Sequence, residues 1–76
     1  MDKKERLVNR AHYAGIADPD LDKLVDDFLK EGIHYSEVAG TFQSMGIPTE
    51  LSTPGLKTLK RIEASFARGR AKLGIK

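Results

Sequence analysis

The chain has 76 residues, with 13 Lys+Arg against 11 Asp+Glu and a formal net charge of +2. That length supports one domain, and 39% hydrophobic with 32% charged residues suits a small globule rather than a disordered tail. There is no Cys, which excludes disulfides and thiolate zinc sites, so a small apolar core holds the fold alone or with a partner.

The first helix is expected near the start, where Asp2 precedes Glu5 by a capping interval and Leu7, Val8, Ala11 and Ala14 share a side up to Gly15. No signal-like apolar region follows the charged opening, and no apolar run approaches the roughly 20 residues of a membrane span. A cytoplasmic protein without membrane contact is the expectation. The second helix is the clearest. Asp18 is a candidate cap, Pro19 suits the first helical position, and Leu21, Leu24, Val25, Phe28 and Leu29 follow at helical spacing before Gly32. Asp22, Asp26 and Asp27 are expected to leave its outer face acidic.

The third helix spans Tyr35 to Met45, with Val38, Ala39 and Phe42 on one face and Gly46 as its stop. Ser36 is one candidate cap; His34 with Glu37 is another. Residues 47–53 read as a loop containing Pro48. Thr53-Pro54 then opens a last helix reaching at least Arg68, with Gly69 either ending or loosening it. No alternating strand pattern occurs. The expectation is an all-α fold, a small three- to four-helix domain with a helix-turn-helix-like arrangement. Its single domain covers 1–76, with a core over 18–68 and a flexible tail over 69–76. Phe28, Phe42, Phe66 and Tyr35 are assigned to the core.

The net charge conceals an asymmetry: residues 1–54 carry −4 and residues 55–76 carry +6. On the last helix, at 100° per residue from Lys57, the apolar Leu56, Leu59, Ile62, Phe66 and Leu73 fall between about 140° and 260°. Lys57, Lys60, Arg61, Arg68 and Lys72 fall between about 300° and 60°, a basic stripe that includes Ala64 and Ala71 but no acid. Ordinary surface helices mix signs to gain i,i+4 pairs, so five like charges nominate an anion-binding face, most simply for phosphate backbone, with a plain solvated face as the alternative. Ser52, Thr53 and Thr58 add hydroxyls near the helix N-terminus.

The stretch from Phe28 to Thr49, followed by Leu56 to Ile62, resembles the helix-turn-helix segment of the large serine recombinases. The sharpest piece is Gly46-Ile47-Pro48-Thr49, and the likeness covers roughly residues 21–64. The chain departs from that pattern in Glu50-Leu51-Ser52 and in having no Trp, and it carries no catalytic serine domain. The resemblance therefore implies DNA binding without strand exchange, with Lys57, Thr58, Lys60 and Arg61 facing the groove; the helical phasing, not the resemblance, adds Arg68 and Lys72. The resemblance also implies a regulator, or a recombination or transfer accessory, of a mobile element.

Enzyme chemistry finds no support. Asp18, Asp20 and Asp22 mimic the opening of a calcium loop, but Lys23 stands where Gly is needed and Leu29 where Glu is needed. His12 and His34 lie in different segments and show no spacing to a nucleophile. No cofactor, metal or small-molecule substrate is expected. The preferred partner is DNA, bound as a dimer or at tandem sites. The alternative is a protein-binding adaptor or inhibitor docking through charged helix faces, such as a phage-encoded inhibitor of host nucleic-acid machinery. RNA contact through the same stripe is a third reading.

Overall fold

A computed structural model describes residues 2–75. The chain is all-helical, with no strand among the described residues. Helix α1 covers Lys3–Val8 and runs on as a π-helical segment over Asn9–Tyr13. Helices α2, α3 and α4 cover Asp18–Lys30, Tyr35–Ser44 and Pro54–Leu73. No helix is long and apolar enough to cross a membrane among the described residues.

Local chemistry sets the boundaries. Asp2 caps α1 by accepting the Lys4 N–H at 2.9 Å. The wider π turn places Ala11 in the core and leaves Ala14 exposed, against the simple periodic expectation. Asp18 does not cap α2. Ala17 holds the cap position and Pro19 sits in the first turn, which frees the Asp18 carboxylate for α4. At α3 the choice falls on His34, whose N–H donates to Glu37 Oε2 at 2.9 Å, the returning half of a capping box. Gly32 and Gly46 end α2 and α3 in left-handed backbone, with φ of +80° and +73°, where a Cβ would clash with its own carbonyl. Thr53 caps α4, accepting the Leu56 N–H at 3.3 Å.

The core extends further toward the N-terminus than 18–68. Leu7, Val8, Ala11 and Ile16 are buried with Leu21, Val25, Phe28, Leu29, Val38, Phe42, Ile47, Ile62 and Phe66. The three phenylalanines occupy three different helices, and Tyr35 packs edge-on against Phe66 at 6.1 Å while staying half-buried. A chain of this size lacks the surface to leave one amphipathic helix out of its core, so α1 joins it.

Residues 69–73 are helix rather than a flexible tail. Gly69 is buried inside α4, where an added Cβ would lie 2.7 Å from Leu29 Cδ1 and 3.1 Å from Asp26 Oδ1. Its missing side chain lets α4 pass directly over α2, so the residue that looked like a stop is a contact. The true end is Gly74, beyond which the Ile75 N–H returns to Arg70 O at 2.9 Å.

Candidate nucleic-acid interface

The face that α4 buries differs from the one its hydrophobic residues mark. Gly55, Thr58, Ile62, Ser65, Phe66 and Gly69 are the buried positions, centred near 130° against about 200° for the apolar set. Small residues at 55, 58, 65 and 69 allow close approach, and their burial turns the helix by roughly 70°. Leu56 and Leu59 are left half-buried, and Leu73 is exposed.

That turn carries much of the basic stripe to the seam with α2. Arg61 Nη2 donates to Asp18 Oδ1 at 2.6 Å and to Ile16 O at 2.7 Å. About two turns along, Arg68 grips Asp22 with two bonds, Nη2 to Oδ1 at 2.8 Å and Nε to Oδ2 at 3.2 Å. Lys72 pairs with Asp26. The aspartates stand at i, i+4 and i+8 on α2, each step rising about 6 Å along one side. Both series ascend together, so α2 and α4 lie parallel with a ladder of three ion pairs between them.

The expected acidic outer face of α2 is correspondingly reduced: Asp22 and Asp26 face α4, and Asp27 remains exposed. Ser65, itself buried, donates to Asp22 Oδ1 at 2.6 Å. Thr58 is buried at 8% exposure, its hydroxyl donating to Pro54 O at 3.1 Å. The hydroxyl proton being used there, His12 donates from Nδ1 to Thr58 Oγ1 at 3.0 Å, a tautomer assigned from this network. Thr58 thus ties α4 to the π-helical segment instead of facing outward.

Of the six nominated residues, Lys57 and Lys60 alone are both exposed and without an ion pair among the described residues. They lie within the first two turns of α4, beside the cap made by Thr53. The loop before them holds Ser52 in left-handed backbone at φ +73° and projects Leu51 at 85% exposure. The residues missed in sequence are Asp18, Asp22 and Asp26. Their i, i+4, i+8 spacing was visible, and its meaning required knowing which helix lay alongside.

The Arg68 and Ser65 hydrogen bonds hold the Asp22 carboxyl below its ordinary value of 3.8. A carboxyl lowered on folding contributes stability above the unfolded value, and that contribution fades as pH falls through 3.8 toward the folded value. The pair is largely solvated, so water screens it and the contribution is small. Urea unfolding between neutral pH and strong acid should therefore show a smaller acid-side loss in Asp22→Asn than in the parent. Equal acid dependence in both proteins would exclude the lowered carboxyl as a source of stability.

Comparison of the chain with protein-family models, curated proteins and solved structures finds no match.

Proposed function

We propose that the chain is a small DNA-binding domain of helix-turn-helix type, holding phosphate backbone through the N-terminal half of α4. The observation that carries this reading is the state of Lys57 and Lys60. They are exposed and unpaired at the positive-dipole end of a 20-residue helix, while the other stripe cations are neutralised by α2. The order α2, α3, loop, α4 supports it, because in such arrangements the first turns of the last helix meet the duplex. The likeness of residues 21–64 to recombinase segments extends the reading to a regulator, or a recombination or transfer accessory, of a mobile element.

Two phosphate contacts per copy make a weak binder, so useful affinity needs two copies or tandem sites. Fluorescence anisotropy on random duplex DNA should give a slope of log K against log salt of about −2 per bound chain. Lys57→Ala with Lys60→Ala should abolish most of that dependence. Arg68→Ala should leave it nearly unchanged, because Arg68 already holds Asp22. No binding even at low salt would remove the DNA reading and leave the protein-binding adaptor as the better account.

A further inference from the structure

A second surface lies away from Lys57 and Lys60, in a groove of about 540 Å³ between α1 and α2. Its floor is apolar, formed by Leu7, Leu24 and Phe28. Leu24 belongs to the apolar periodicity of α2, yet it stays half-buried because the single regular stretch of α1 is too short to cover it. Four basic side chains line the groove against two acidic ones, so its rim is positive. Lys3 and Glu31 neutralise each other across one end at 2.6 Å. Arg6, Arg10 and Lys30 are exposed and have no carboxylate partner among the described residues.

This charge pattern is the reverse of the α2–α4 seam. There every aspartate meets a cation, and the surface is closed. Around the groove cations remain open above apolar carbon, and Asp27 alone offsets them. Arg6 and Arg10 stand about one helical turn apart, and Arg10 lies in the π-helical segment, an irregularity that recurs at functional positions. Two cations at that spacing fit carboxylates on successive turns of a second helix, while the floor takes its apolar anchors.

We infer that the α1–α2 groove binds an acidic amphipathic helical segment of a protein partner, seated by apolar side chains over Leu24 and by carboxylates on Arg6, Arg10 and Lys30. Such a surface gives the domain a second partner that does not compete for α4. Backbone phosphate would satisfy the cations but would leave the apolar floor uncovered. The floor is what favours peptide over nucleic acid.

The test uses the full chain, isotopically labelled, and a synthetic amphipathic peptide of about 14 residues with Leu at i, i+4 and i+7 and Glu on the flanks. A control peptide replaces each Glu by Lys. The acidic peptide should shift the amides of Leu24, Phe28 and Arg10, and the control should not. Arg6→Glu with Arg10→Glu, both at exposed positions, should keep the fold and weaken acidic-peptide binding by about tenfold or more. The inference is overturned if millimolar acidic peptide shifts nothing, if both peptides bind alike, or if the charge reversal leaves affinity intact. Duplex DNA shifting these same groove amides would also overturn it, by reassigning the groove to phosphate. Failure of the α4 reading is separately visible, as unmoved Lys57 and Lys60 amides in the DNA titration.

Discussion

Gly55→Ala should leave the protein largely unfolded or strongly destabilised at room temperature. Its added Cβ would lie 2.0 Å from Pro48 O and 2.9 Å from Ile47 Cγ2. The first of these is backbone, the carbonyl of a residue whose ring fixes its φ and whose preceding neighbour, Ile47, is buried. No rotamer change relieves it; either the loop or the first turn of α4 must move. Overpacking of flexible side chains typically costs about 1–3 kcal/mol, and a rigid carbonyl should take the cost to the top of that range or past it. Total stability for a chain this short is on the order of 4–11 kcal/mol, so the loss is a large part of the whole.

The other helical glycines make the expectation sharper. At Gly69 the opposing atom is the end of the Leu29 side chain, which can turn away, so alanine there should cost less. At Gly40, on the exposed side of α3, a Cβ meets nothing within 4 Å. Alanine there should raise stability by about 0.5–1 kcal/mol, because the unfolded chain loses freedom and nothing in the fold objects. Thermal melts should therefore rank Gly40→Ala above the parent, Gly69→Ala below it and Gly55→Ala lowest. A Gly55→Ala protein melting with the parent would show that α4 does not pass the loop so closely.

These glycines also mark where sequence reading lost resolution. The second helix was legible because Leu21, Val25, Phe28 and Leu29 are large, apolar and regularly spaced, and burial follows such a pattern. The Thr53-Pro54 start of α4 was legible for a comparable local reason, a capping hydroxyl followed by a fixed φ. The face of α4 was not. Its contact residues include Gly55, Thr58, Ser65 and Gly69, which hydrophobicity ranks with the surface although packing needs their small volume. An error of roughly 70° about one helix axis was enough to move Arg61, Arg68 and Lys72 from an expected open stripe to a paired seam. Pairing between helices 43–46 residues apart is a tertiary fact, and no single-helix wheel contains it.

The same seam yields the largest effect expected on binding. Asp18→Asn, Asp22→Asn and Asp26→Asn together remove the three carboxylates that neutralise Arg61, Arg68 and Lys72 while preserving side-chain shape. The amide oxygen that Asp22→Asn leaves in place would still accept the Ser65 hydroxyl, so no buried hydroxyl is orphaned. The lost pairs have solvated cations and should cost little stability, which circular dichroism can check against the parent. On duplex DNA, two available cations become five, and the salt slope should steepen from about −2 to about −4.5. Affinity at low salt should rise by about tenfold or more. Removing three negative charges attracts DNA at long range wherever they sit, so the control carries Asp20→Asn, Asp27→Asn and Glu50→Gln, with the same net charge. If direct contact through the released stripe is responsible, the seam variant alone acquires the steeper slope, and Arg68→Ala in that background takes back about one charge of it. If both triple variants gain equally, α2 keeps the stripe from reaching phosphate by its bulk as well as by its charge. The aspartates would then be structural partners of α4, and contact with the duplex would rest on Lys57 and Lys60.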